Sequence, residues 1–317
     1  MCPGVFCSIL VMLGTLACAG FEPPGPDART KAIGDLSSLP ENLRRAFVPG
    51  DEFEPIPKPG PHDWLSVHPE PGQTFDQFVA SRPNRPDTIR KVIYLQPLGA
   101  FVPGHSPQVE KLQEFATAYF QMEVKVLPTA EGELMQFRSR TNRFTGRRQV
   151  LTSDVLGWLR RRLPSDAFCL LGITTVDLYP HESWNFVFGE ASLHERVGVY
   201  SFARYDPEFY GERRTAEFGT LLLRRSCKVL AHETAHMFGL AHCIYFRCVL
   251  NGSNHLEESD SRPMHLCPVC LRKLHYSIGF DVVARYRALA EFYSSAGLND
   301  EAQWVAARIR KLTGPSR

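Results

Sequence analysis

The chain has almost no net charge, no long apolar run in its body and no spread of cysteines suited to a disulfide framework, and each shortage removes a class of protein. Its 36 Lys and Arg against 34 Asp and Glu leave a formal charge of only +2 over 317 residues. The basic residues are scattered, as at 160–162, 224–225 and 308–311, with no aromatic-interleaved stripe. Solvated faces explain them better than a nucleic-acid groove. No stretch of eighteen or more apolar residues interrupts the body of the chain, so a multi-pass membrane protein is excluded. Of nine cysteines, Cys2, Cys7 and Cys18 fall in the first 19 residues and four cluster between 243 and 270. Only Cys169 and Cys227 remain, and such a pattern suits a reducing compartment. Residues 5–19 form a short apolar run ending in Ala17-Cys18-Ala19, the form of a signal-peptidase site, yet no Lys or Arg precedes it. A leader peptide, a hydrophobic tail and a mistaken start all stay open.

What is present is concentrated in one segment. His232-Glu233-Thr-Ala-His236-Met-Phe-Gly239-Leu-Ala-His242 places three imidazoles and a carboxylate within eleven residues. Two histidines four apart on a helix project from one face, a turn apart, so both Nε2 atoms can reach one ion at roughly 2.0–2.1 Å. Gly239 ends the helix at low cost, because glycine enters the left-handed region freely, and the turn swings His242 back as third ligand. Three protein ligands leave a fourth position open, which is the arrangement of a catalytic zinc. Glu233 is then free to act as general base and acid in amide hydrolysis.

Cys243 and Cys248, followed by the CxxC of Cys267 and Cys270, form a second constellation. Four thiolates at about 2.3 Å would saturate a structural zinc and staple the loop, and two disulfides are the competing reading. His255 and His265 lie between the pairs and are alternative donors. They are left out of the metal set with His181, His194 and His275, since a lone histidine is more often hydrogen-bonded than ligating.

The zinc helix with its third histidine fits the metzincin motif, and with the cysteines placed directly after it the chain resembles the archaemetzincins, the archaelysin family of metallopeptidases. That family joins HExxHxxGxxH to a CxxxxCxM segment and a later CxxC, all within residues 231–270 here. Further similarity lies at residues 177–180 and 183–189, and the likeness extends over most of 45–295. The resemblance implies a metzincin-like fold, an intracellular protein and a peptide or protein substrate. It also implies a catalytic zinc on His232, His236 and His242, Glu233 as catalytic group, and a second zinc on Cys243, Cys248, Cys267 and Cys270. One departure stands out: Leu250 occupies the place of the family's methionine beneath the metal, a swap of similar volume that usually costs under about 1.5 kcal/mol.

The rest of the sequence frames this segment. Residues 20–90 are rich in Pro and Gly, with one short helix expected at 41–47, and read as an extended wrapping segment without chemistry. Residues 91–96, 107–120 and 123–127 form a β-α-β succession. A strand near 149–152, a helix over 154–162 capped by Ser153 and the run 167–178 continue the alternation. These elements predict an α+β fold with an α/β-like mixed sheet, flanking helices, the zinc helix and a helical C-terminal part. Residues 197–205 read as a strand, which by resemblance would be the antiparallel edge strand roofing the cleft. The zinc helix is expected to start near Thr220, with Cys227 as a core thiol. One amphipathic stretch follows over 278–293, stopped by Gly297, and a peripheral helix over 300–312. The domain expectation is a catalytic unit over 91–297, including the cysteine loop 243–270, with a final piece over 298–317. A metallopeptidase leads the functional readings. A zinc-binding interaction protein on the same scaffold, supported by Leu250, and a nucleic-acid module on the cysteine loop are the rivals.

Overall fold

The seven residues of strand β1 (Val92–Leu98) are all buried, because helices cover both faces of the sheet it centres. Alternate side chains divide between two cores: Ile93 and Leu95 pack with Leu112, Phe115 and Leu230, whereas Val92 and Tyr94 pack with Val155 and Leu159. In the computed structural model, which describes residues 21–314, β1 pairs in parallel with β2 (Glu123–Val126) and with β5 (Ala167–Thr174). The five-stranded sheet continues through β8 (Val197–Ser201), parallel to β5, to β7 (Gly189–Ser192), antiparallel at the edge. A smaller sheet holds β3 (Ser139–Thr141), β4 (Arg148–Leu151) and β6 (Asp177–Tyr179) in the order β3-β4-β6. The apolar run at residues 5–19 lies outside the described residues.

Beyond residue 150, four expectations change. Residues 197–205 do not form the edge strand. Their strand stops at Ser201 and lies between β5 and β7, which its unbroken burial requires, so the antiparallel edge belongs to β7. The run 167–178 is two strands in different sheets, interrupted at Thr175 and Val176. Helix α6 (Thr152–Arg160) begins before Ser153, without a side-chain cap. The stretch 278–293 contains a break: α9 (Pro268–Ile278) ends on Gly279 at φ 80°, and α10 (Val282–Ser295) restarts behind the Asp281 carboxylate, which accepts from the Ala284 amide at 2.7 Å.

Helix α5 (Val109–Phe120) and α7 (Phe218–Met237) pack on one face of the large sheet. Phe238, just past α7, stacks on Phe168 of β5 with ring centroids 4.2 Å apart. Residues 21–90, expected to be extended with one short helix at 41–47, instead form four, α1 (Pro26–Ile33), α2 (Glu41–Phe47), α3 (Trp64–Val67) and α4 (Phe75–Ala80). They bury Ile33, Phe47, Leu65 and Phe78 in the main core, and Arg272 of α9 holds the end of α1 through the Ile33 and Asp35 carbonyls. Helix α8 (Leu256–Asp260) is a single turn beside the cleft, and α11 (Asn299–Thr313) packs on α10 and sends Arg308 to the Ala46 carbonyl at 2.8 Å. No helix among the described residues is long and apolar enough to cross a membrane.

Candidate active site

Helix α7 buries Leu222, Leu230, Ala231 and Ala235 in the core, and the i, i+4 spacing of His232 and His236 places both, with Glu233, at a cleft of about 860 Å³. The helix stops where the sequence placed its glycine. Gly239 adopts φ +84°, its amide donates to the His236 carbonyl at 2.8 Å, and the reversed chain carries His242 back over the helix end.

Each of the three histidines has its Nδ1 engaged by an oxygen. His232 Nδ1 donates to the Val249 carbonyl at 2.9 Å and His236 Nδ1 to the Leu240 carbonyl at 2.6 Å. His242 Nδ1 donates to Glu70 Oε1 at 2.8 Å. A carbonyl can only accept, so the Nδ1–H tautomer is fixed for the first two rings and the Nε2 lone pairs remain. One nitrogen from each of the three rings lies within 4.8 Å of the other two, and His232 Nε2 stands 3.0 Å from His236 Nε2. That is close to the edge of about 3.3 Å of a tetrahedron drawn with zinc–nitrogen bonds of about 2.0–2.1 Å. Burial, reinforced by the neighbouring rings, pushes His232 well below its ordinary pKa and His236 down to about 4, so both rings stay neutral and ligating at pH 7. The donor set therefore fits a zinc ion.

Glu233 is nearly buried and stands outside the three-histidine group. Its carboxylate lies against β7 so closely that a Cβ built on Gly189 would sit 2.8 Å from Oε1. Burial, and secondarily the charge of Glu190, pushes its pKa up to about 8. A carboxyl held near neutrality is suited to moving a proton in both directions.

The four thiols Cys243, Cys248, Cys267 and Cys270 are buried, none in a disulfide, with sulfurs within 4.8 Å of one another. Cys243 Sγ and Cys267 Sγ are 3.5 Å apart, against about 3.8 Å for the edge of a tetrahedron with zinc–sulfur bonds of about 2.3 Å. Burial opposes ionisation, but hydrogen bonds from the other three thiols bring Cys243 well below its ordinary pKa. Cys267, at the N-cap position of α9, is pushed the other way, upward, by burial and by its hydrogen bonds with the same thiols. The set fits a closed zinc site. Asn251 clasps the loop, donating to the Cys243 and Phe246 carbonyls at 2.7 and 2.9 Å and accepting from the Cys248 amide at 2.8 Å. The same knot fixes Leu250, fully buried, and the Val249 carbonyl that orients His232. His255 instead meets Asp63 at 3.0 Å, and His265 stacks on Trp304 at 3.7 Å, so neither joins the thiols.

Glu70, Trp64, Arg262 and β7 carry no sequence signal for the site. Glu70 sits in a Pro-rich stretch read as inert, and only the fold brings it to a histidine 172 residues away. Burial raises its pKa, but the hydrogen bonds from His242 and Trp64 Nε1 outweigh this and leave it lowered. Residues 183–189, which carry part of the resemblance, line one wall of the cleft, where Trp184 stacks on His68 at 5.9 Å. Behind them the buried Asp177–Arg204 pair, bidentate at 2.8 Å, ties β6 to the turn after β8.

A sequence model of Peptidase family M54 matches residues 131–276. Archaemetzincin-2 of Rattus norvegicus is 41% identical over 280 residues, which is 79% of this chain and 77% of that protein. Archaemetzincin-2 of Homo sapiens is 40% identical over 281 residues, with the same coverage of 79% and 77%. The crystal structure of archaemetzincin from Archaeoglobus fulgidus aligns with 57% of this chain and 99% of its own, at 34% identity and a TM-score of 0.45. With two-fifths identity over most of both chains, this protein belongs to peptidase family M54, the archaemetzincins, and is a zinc metallopeptidase.

Proposed function

We propose that peptide bonds are hydrolysed in the cleft between β7 and α7. In this reading His232, His236 and His242 hold the catalytic zinc, Glu233 is the catalytic base and acid, and Cys243, Cys248, Cys267 and Cys270 hold a second, structural zinc. When bound, the catalytic ion supplies Lewis acidity, polarising the scissile carbonyl and bringing the pKa of water toward ~7. The side chains do the rest. Glu233 takes the proton of the attacking water and passes it to the departing amine nitrogen. Glu70 and the Val249 and Leu240 carbonyls hold the three rings in one tautomer and orientation. The free edge of β7 accepts an extended substrate as an added strand, so that main-chain hydrogen bonds give affinity with little sequence preference. Residues 91–297 form the catalytic unit, and residues 20–90 lend it Glu70.

The observation that carries this reading is the convergence of three Nδ1-satisfied imidazoles beside a buried carboxyl that is not one of their group. Its test is mass-spectrometric profiling of a peptide mixture incubated with zinc-replete wild type and with Glu233→Gln. Cuts made by the wild type alone, with equal metal content in both proteins, are the expected result. Equal cleavage by the variant would remove Glu233 from the mechanism, and binding without cleavage by the wild type would favour an interaction protein.

A further inference from the structure

Arg262 is 8% exposed and lines the cleft, yet its Nε and Nη2 are buried without a hydrogen-bond partner among the described residues. An unpaired buried guanidinium is costly, and natural structures keep such a group where something else pairs with it. The carboxylates nearest in charge terms are committed elsewhere. Glu258 accepts from the Trp64 amide at 2.9 Å and the Asn254 amide at 2.7 Å, and Asp63 accepts from His255 at 3.0 Å and the Gly60 amide at 2.7 Å.

The segment that presents Arg262 is held from below. Lys228 Nζ donates to the Ser259, Arg262 and Asp260 carbonyls at 2.5, 2.8 and 3.3 Å, which uses all three of its protons. Lys228 lies one helical turn, about 6 Å of rise, before His232 on α7, so the backbone of residue 262 is anchored beside the turn that precedes the first metal-site histidine. Lys228 and Arg262 both line the cleft, and the carboxylates lining it are Glu190 of β7 and Glu233 of α7, the latter held against Gly189 of β7.

We propose that Arg262 is a specificity residue, receiving a carboxylate of the substrate peptide next to the scissile bond. The proposal rests on the cleft being the peptide site. The Arg262 guanidinium offers a carboxylate charge-assisted hydrogen bonding, and desolvation in the cleft makes such a pair strong. The carboxylate is supplied either by an Asp or Glu side chain or by the substrate's own C-terminus, and the two sources share one chemistry.

Fluorescence anisotropy with zinc-replete Glu233→Gln protein tests it, because binding is then read without turnover. One arm scans Glu against Gln along a labelled, C-terminally amidated hexapeptide, and a second compares the same neutral peptide with a free and an amidated C-terminus. The expected result is an affinity ratio of about tenfold or more for the carboxylate in one arm, as charge-assisted hydrogen bonds give. Introducing Arg262→Met should bring that ratio to within twofold, and Arg262→Lys, which keeps the charge without the fork, to a value between. Thermal melting of each variant separates lost recognition from lost fold, and the ratio in protein with Arg262 intact refutes the proposal by itself when it shows no carboxylate preference. No carboxylate preference in either arm, or a preference that Arg262→Met leaves intact, overturns the proposal. Failure of the wild type to cleave would overturn the hydrolytic reading and leave this ratio untouched.

Discussion

Removing Glu70 should weaken zinc binding at the histidine site while leaving the cysteine site alone. Its Oε1 accepts from both His242 Nδ1 and Trp64 Nε1 at 2.8 Å, and the Trp64 ring stands edge-on to the His242 ring at 5.2 Å. In Glu70→Ala the His242 ring loses the acceptor that fixes its tautomer, the Trp64 N–H loses its partner, and the negative charge behind the ligand is gone. Loss of such a supporting partner typically costs 10–100-fold in metal affinity, about 1.4–2.7 kcal/mol. Two donors depend on this one carboxylate, but its side chain is 24% exposed, and solvent screening places the expected loss near the middle of that range. Glu70→Gln keeps a neutral acceptor and should lose about tenfold at most. Titration of zinc-replete protein with chelators of graded strength measures the effect. Identical release curves for Glu70→Ala and wild type would show that the hydrogen bond contributes nothing to ligation.

Three more outcomes follow from the geometry. Cys267→Ser should lower the zinc content from two ions per chain to one or fewer by elemental analysis, and should impair cleavage too, since the knot fixes the Val249 carbonyl behind His232; a single ion in the wild type would remove the second site. Gly189→Ala should reduce kcat about 100-fold and also lower Tm, because its Cβ would meet Glu233 Oε1 at 2.8 Å and the Cβ of buried Tyr200 at 2.9 Å; unchanged kcat would mean that Glu233 tolerates displacement. Burial, with Arg308, Arg247 and Arg285 adding repulsion, pushes His265 down to about 3 from the ordinary 6.5. Between those values the unfolded chain binds the extra proton, so stability falls as pH drops below 6.5, by about 2–3 kcal/mol at pH 4.5. Denaturant titrations at pH 7 and 4.5 should show a smaller loss in His265→Phe, and equal losses would exclude His265 as the source.

The parts of the fold that were legible in the sequence are those set by local periodicity and spacing. The β1-α5-β2 unit, the zinc helix and its glycine stop fall where the pattern put them, because each is decided within a dozen residues. What was not legible depends on pairing partners. Nothing in Val197–Ser201 says whether it is an edge or an interior strand, since that is settled by where β7 returns, and β7 itself, Gly-Glu-Ala-Ser, has almost no strand propensity. Glu70 and Arg262 are invisible for the same reason: one charged residue in a loop has no period, and only the tertiary fold gives it a partner or denies it one.

The long reach of the Glu70–His242 hydrogen bond also sets a schedule for biosynthesis. The two residues are 172 apart, so at about 5–20 residues per second Glu70 leaves the peptidyl-transferase centre roughly 9–34 s before its histidine exists. The four cysteines arrive within a much shorter window, and the strap that closes over α2, Arg308 on the Ala46 carbonyl, is synthesised later still. Throughout that interval the apolar faces of α1, α2 and α4 wait without their partner α9. The four thiols are thus all synthesised before α11, so their cluster is complete before the final helix can seal the molecule.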